Sequence, residues 1–251
     1  MLPSRFRRPV AIIYAFARQA DDFADEGERT DEERIALLES FRLELGRIAE
    51  GSCPETGLFK DLGEIIHEYG LPLQPFFDLL DAFSRDVVKK RYGDFDELLA
   101  YCSKSANPIG RLLIALYGID SEKNRLYSDH VCTSLQLINF LQDVAIDLEK
   151  GRIYLPMDEM KRYGAEIGKL DASWEAFMKH QAHRAKSMML EGAPLAGQMK
   201  GRLAFEMRMI INGGLRIIEK LEKNRWDMFS HRPKLVKTDW ILLLCRSLSR
   251  T

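Results

Sequence analysis

Strand signals are almost missing from this sequence. No sustained alternation of apolar and polar residues occurs, and no Asn-Gly or Asp-Gly pair joins β-branched runs, which argues against a sheet-based fold. Charge of one sign is missing too: 37 Lys and Arg stand against 38 Asp and Glu, a formal net charge of −1. With no basic excess to neutralise phosphates, nucleic acid is not an expected partner. Arg5, Arg7 and Arg8 cluster near the start, but three charges are few for recruitment to a membrane. Cysteine is scarce. Cys53, Cys102, Cys132 and Cys245 are far apart and form no CxxC, so neither a metal-ligand spacing nor a disulfide framework is expected, and reduced thiols fit best. There is no signal peptide and no apolar run of membrane-spanning length. The run Trp240 to Cys245 (WILLLC) is far too short to span; it reads as a packed helix with one edge able to rest on a bilayer. The expected location is the cytoplasm, with the periphery of the inner membrane as an alternative.

What is present is helical periodicity, everywhere, on 46% hydrophobic residues. The expectation is an all-α fold of roughly nine to eleven helices in a single domain spanning 1–251, with short connections. Thr30 and Glu33 have capping-box spacing. Gly70 is a C-cap candidate. Pro72 and Pro75 open a helix expected to reach Arg91, Asn107-Pro108 is expected to kink another, and Gly213 is expected to open a separate helix running to Phe229.

Two stretches carry chemistry. In Gln136 to Pro156 (QLINFLQDVAIDLEKGRIYLP), Gln136, Asn139, Asp143 and Asp147 are spaced three, four and four, so they share one face of a helix. Their neighbours are apolar, and the helix is expected to be buried nearly all round. Carboxylates there are costly unless something cationic meets them. Earlier, Tyr14, Arg18, Asp21 and Asp25 form a matching stripe in YAFARQADDFADE, with Asp22 one step round. If both stripes face one cavity, like charges need a cation between them. Oxygen ligands without His or Cys select Mg²⁺, which keeps open positions for phosphate oxygens. A diphosphate is then the natural ligand, with Arg18 as a positive clamp. Phe16, Phe140, Leu141, Ala106, Ile109 and Leu113 are candidates for an apolar wall, suited to a polyprenyl chain. Such a site ionises a C–O bond and shelters the resulting carbocation. His180 and His183 read as surface residues, and Met188, Met189, Met207 and Met209 as core.

These two stretches, with YCSKSANPIG, resemble the squalene/phytoene synthase family over nearly the whole chain. The details FARQADDFADEG, FLQDV and SANPIG are closest to its hopanoid-cluster hydroxysqualene synthases. The resemblance implies an Mg²⁺-dependent enzyme that converts presqualene diphosphate to hydroxysqualene with loss of diphosphate, beside companion enzymes for the preceding condensation and the final reduction. It implies Asp21, Asp25, Asn139, Asp143 and Asp147 as metal ligands, with Arg18 on the diphosphate. Gln136 and Tyr154 match active-site positions, and Tyr14 and Tyr101 match substrate-lining tyrosines. Gln142 departs from the arginine usual in carotenoid-type members and puts one diphosphate contact in doubt. Family members usually carry a further N-terminal segment, expected to be missing from a sequence opening at Met1-Leu2-Pro3, and Gly164 to Asp171 looks shorter than usual. Two alternatives remain: head-to-head condensation of two prenyl diphosphates, and a non-catalytic helical protein that binds a prenyl lipid. A greasy substrate makes transient contact with a membrane surface plausible.

Overall fold

Caps and turns divide the helical pattern. The computed structural model describes residues 2–52 and 54–248, so Cys53 and the expected helix end at Ser249 lie outside the described residues. In chain order the elements are α1 (Ser4–Asp25), α2 (Asp31–Ala49), α3 (Leu58–Tyr69), α4 (Gln74–Val88), β1 (Arg91–Tyr92), α5 (Phe95–Ser105), α6 (Asn107–Leu116) and α7 (Glu122–Glu149). They continue with β2 (Ile153–Pro156), α8 (Met157–Tyr163), α9 (Ala172–Gly192), α10 (Leu195–Gln198), α11 (Gly201–Lys223) and α12 (Lys237–Leu248). The all-α class is as expected. The Thr30 hydroxyl accepts from the Glu33 amide while the Glu33 carboxylate accepts from the Thr30 amide, which satisfies two donors at the start of α2. Gly70 closes α3 with φ 61°, a left-handed conformation that a side chain would strain.

Three boundaries differ from the sequence reading. The chain leaves α4 at Lys89, and Arg91–Tyr92 instead pairs in parallel with β2, in the register Arg91↔Ile153 and Tyr92↔Pro156. A two-residue strand is too short to show any alternation. At Asn107-Pro108 the axis is broken, not merely kinked: a new helix starts there, with proline in the first turn where its missing N–H costs little. And α11 runs straight through Gly213-Gly214. Those glycines serve packing: a Cβ on Gly214 would stand 3.2 Å from Leu135 Cδ2 and 3.3 Å from Ile138 Cδ1 of α7.

Two compact units emerge. One comprises Leu2–Lys89 with Ser103–Arg125. Its core centres on Phe16 of α1, fully buried, with ring centroids 5.5 Å from Phe41, 6.2 Å from Phe59 and 5.2 Å from Phe76. Phe16 therefore fills this core and is not a free wall for a ligand. The other unit comprises Lys90–Cys102 with the described residues of Leu126–Thr251. Here α7 and α9 approach closely at Gly192, where a Cβ would stand 2.7 Å from the Tyr127 carbonyl oxygen and 2.8 Å from the Val131 amide nitrogen. The Ser134 hydroxyl reinforces the contact by donating to the Ala185 carbonyl at 2.6 Å. Burial pushes the Cys102 thiol in this unit up to about 12, so it is no nucleophile at neutral pH.

The last helix is fastened by polar groups. Buried Asp239 of α12 accepts from Lys220 and Arg216 of α11 and from the Val236 amide, while Arg246 pairs with Glu219 at 2.7 Å. The Arg208 guanidinium donates to the Ser247 carbonyl at 2.8 Å and Asn212 to the Ser247 hydroxyl at 3.0 Å. The helices therefore run antiparallel.

Two measurements test this packing. Gly192→Ala gains about 1 kcal/mol of helix propensity but drives a methyl group into backbone that cannot yield, for a net loss of about 2 kcal/mol and a fall in Tm of roughly 4–8 °C. An unchanged Tm would mean α7 and α9 can separate freely. For Asp239, hydrogen bonding to Lys220, then to the Val236 amide and Arg216, holds the carboxyl well below the usual range. A depressed folded-state value stabilises above the unfolded value of about 3.9 and is lost as pH falls below it. The gap in denaturation midpoint between the native protein and Asp239→Asn should thus be full from pH 7 to about pH 5 and narrow measurably by about pH 3. A gap independent of pH would refute the assignment.

Candidate active site

The second stripe lies on α7. Asn139 is exposed; Gln136, Asp143 and Asp147 are half-buried, and Phe140, Leu141 and Val144 between them are buried. The helix is not buried all round, because Ile146 and Leu148 are also exposed. The cation that meets the stripe is one the sequence reading did not single out. Arg232, in the segment between α11 and α12, grips both oxygens of Asp143: Nε donates to Oδ1 and Nη2 to Oδ2, the latter at 2.9 Å. Hydrogen bonding to Asp143 raises the Arg232 guanidinium above its ordinary value against the opposing effect of burial, and the charge of Asp147 adds to it. Beside this pair, Gln142 donates to the carbonyl of Pro233. Gln142 therefore helps seat the segment that brings a positive charge to the stripe from elsewhere in the chain.

That segment is wound tightly. Arg225 and Trp226 adopt left-handed φ values of 54° and 61°, at a cost of roughly 1–3 kcal/mol each. Burial of the Trp226 ring offsets it, and the Trp226 carbonyl accepts from Trp174 Nε1 at 3.0 Å. Asn224 donates to the carbonyls of Asp227 and His231, fixing the turn that presents Arg232. No local pattern announced this; the one sequence signal was a lone arginine next to proline.

An aromatic layer adjoins the stripe. Phe140 and Tyr154 stack with centroids 4.3 Å apart and planes 4° from parallel. Tyr101 lies 5.6 Å from Tyr154, and Tyr92 5.7 Å from it. The β1–β2 pairing holds Tyr92 and Tyr154 in place, and α5 supplies Tyr101. Two small cavities border these rings. One is lined by Leu137, Phe140, Leu141, Tyr154 and Gln181 among others. Its neighbour includes Val144, Asp147, Arg152 and Tyr154. Each has room for about one water molecule, so neither alone accommodates a polyprenyl chain. Gln181, also unforeseen, donates to Glu159 at 2.6 Å. Burial works to raise the Glu159 carboxyl, but hydrogen bonds from Arg184 and Gln181 outweigh it and hold it below its ordinary value.

The first stripe lies on α1. Arg18 forks to Asp21 at 3.0 Å and Asp22 at 2.8 Å, so Asp22, one step round, joins the cluster. Asp25 is half-buried in the last turn, and Tyr14 is 67% exposed. Arg34 caps the same helix end by donating to the carbonyls of Phe23, Glu26 and Gly27. Among the described residues no three His, Cys, Asp or Glu side chains are gathered closely enough to hold a metal ion by themselves. Asp143 is engaged by Arg232 and Asp21 by Arg18. The donor set nonetheless fits Mg²⁺, which takes one or two carboxylates, keeps waters and draws its remaining ligands from phosphate oxygens.

A sequence profile described as squalene/phytoene synthase matches residues 1–239. The chain belongs to the squalene/phytoene synthase family. It is an isoprenoid enzyme, of a family that acts on prenyl diphosphates and whose members generally depend on a divalent metal. A hydroxysqualene synthase of Rhodopseudomonas palustris is 33% identical over 245 residues, covering 95% of this chain and 82% of the relative. A phytoene synthase of Mycobacterium tuberculosis is 32% identical over 212 residues, covering 81% of this chain and 69% of the relative. The crystal structure of a squalene synthase HpnC from Alicyclobacillus acidocaldarius matches with TM-score 0.82 at 31% identity, covering 87% of this chain and 84% of that one. No described helix is long and apolar enough to cross a membrane.

The Arg232–Asp143 grip is testable by itself. Arg232→Gln should lower stability by about 1–2 kcal/mol, the range for a partly exposed charged hydrogen-bonded pair. Arg232→Lys, which keeps the charge but not the fork, should recover only part of the loss in a urea titration. Full recovery by lysine would show that charge alone matters.

Proposed function

We propose that this protein converts presqualene diphosphate to hydroxysqualene with loss of diphosphate. The observation that carries the reading is the carboxylate stripe of α7, capped by an arginine and bordered by stacked aromatic rings. A close resemblance to a hydroxysqualene synthase over 95% of the chain points the same way. Asp21, Asp25, Asn139, Asp143 and Asp147 would hold Mg²⁺, which neutralises the charge building on a departing diphosphate. Arg18 and Arg232 would each offer fixed positive charge to diphosphate oxygens. Gln136 and Tyr14 border the substrate. When the C–O bond breaks, its electron pair leaves with the diphosphate and a carbocation remains. The ring faces of Phe140, Tyr154 and Tyr101 suit a cation and keep bulk water away while the skeleton rearranges. Water then adds to the rearranged cation and gives up a proton, completing hydroxysqualene. Companion enzymes would make presqualene diphosphate and reduce the alcohol, with this protein working in the cytoplasm at the inner-membrane periphery.

Head-to-head condensation of two prenyl diphosphates is the second reading, favoured by the similarity to a phytoene synthase. Purified protein given presqualene diphosphate, Mg²⁺ and no nicotinamide separates the two. Hydroxysqualene and inorganic diphosphate are the expected products, with activity abolished by EDTA and lowered at least about 10²–10³-fold in Asp143→Ala. Inertness toward presqualene diphosphate, with turnover of farnesyl or geranylgeranyl diphosphate alone, would overturn the first reading.

A further inference from the structure

Helix α12 presents an unusual face to solvent. Its polar and charged residues Asp239, Arg246 and Ser247 face α11, through the ion pairs and hydrogen bonds described above. Leu243 alone among its large apolar residues is fully buried, and four others face outward: Trp240 is 51% exposed, Ile241 65%, Leu244 44% and Leu248 70%. At 100° per residue these four fall within about one quadrant of the helix. Val236, just before the helix, extends the stripe and is exposed as well. Rotating the helix to bury the stripe would pull Asp239 from Lys220 and Arg216, so the outward orientation is held by charge.

We infer that this face of α12 docks the protein on an anionic lipid surface. The apolar stripe supplies the attraction to a bilayer, and the charge at its edge gives the preference for anionic headgroups. Of the four ionic side chains between Lys234 and Leu248, Asp239 is buried and Arg246 is bound to Glu219. The two exposed ones are Lys234 and Lys237, at the N-terminal edge of the stripe. The surface is thus apolar with a positive edge and no exposed carboxylate on the segment. It carries a tryptophan, whose amphipathic ring favours the headgroup level. A helix of 12 residues is far too short to cross a bilayer but long enough to lie in its interface. The inference goes beyond the proposed reaction, although a water-insoluble product would leave most directly into such a surface.

Tryptophan emission reads the docking directly. Trp174 and Trp226 are buried, so Trp240 is the tryptophan whose emission responds to a change of solvent. Adding vesicles of phosphatidylcholine with phosphatidylglycerol should shift the emission to the blue, and vesicles of phosphatidylcholine alone should do so less. Trp240→Phe should abolish the shift while leaving co-sedimentation with vesicles largely intact. The double variant Ile241→Ser with Leu244→Ser should weaken partitioning by at least about tenfold with an almost unchanged Tm, because both side chains are exposed. Three results would overturn the proposal: no shift with either vesicle, partitioning indifferent to the double variant, or a concentration-dependent dimer that the double variant dissociates. No diphosphate is present in the measurement, so its outcome is independent of which substrate the enzyme turns over.

Discussion

A carboxylate set into an apolar helix has to be met by positive charge, and in this protein that requirement organises the larger unit. Asp143 sits among Phe140, Leu141 and Val144, where an unpaired anion would be costly. The guanidinium of Arg232 meets it with both nitrogens of its fork, so neither oxygen is left without a partner. Since Arg232 belongs to a segment far along the chain, the pairing depends on everything that holds that segment in place. Glycine contacts at Gly192 and Gly214 let α9 and α11 approach α7 closely. The left-handed turn at Arg225 and Trp226 reverses the chain after α11, and the buried Trp226 anchors it. Gln142 then fixes Pro233 next to the arginine. The electrostatic demand of one aspartate is satisfied by packing on two other helices, α9 and α11.

The same helix face explains why the aromatic layer lies where it does. Phe140 follows Asn139 and precedes Asp143 by three residues, so an apolar ring and polar side chains emerge from one turn in neighbouring directions. Its partner Tyr154 is positioned by a parallel pairing only a few residues long. That small ladder would contribute little by itself, but it fixes Tyr92 and Tyr154 against Tyr101 and Phe140. On the proposed reading, rigid rings next to a charged stripe would suit a reaction through a carbocation, with one side to take the leaving anion and the other to face the cation without reacting with it.

The parts of this arrangement governed by helical period were legible in the sequence. Spacings of three and four put Gln136, Asn139, Asp143 and Asp147 on one face, and Tyr14, Arg18, Asp21 and Asp25 on another, without knowledge of what lay opposite. Thr30, Glu33 and Gly70 showed their capping roles through short-range hydrogen bonding and φ alone. The residues that escaped are those whose role is set by tertiary contact. Arg232 lies 89 residues from Asp143, and nothing local distinguishes it from a surface arginine. Gly213-Gly214 looks like a helix break until Leu135 and Ile138 are seen pressed against it. Gln142, read from the sequence as the loss of a positive charge, also has a packing role that only the fold shows, because it donates to the carbonyl of Pro233 beside Arg232.

The inverted helix α12 makes the same distinction at the surface. Periodicity identified WILLLC as one apolar stretch but could not say which way it faced, because a hydrophobic stripe has the same period whether it points in or out. The direction is decided by Asp239, Arg246 and Ser247, whose partners Lys220, Arg216, Glu219, Arg208 and Asn212 all lie on α11. Hydrophobic burial has no fixed direction of its own, whereas a fork of hydrogen bonds does. Where the two compete on a short helix, the directional contacts set the orientation, and the exposed apolar face that results must find its low-polarity surroundings outside the fold.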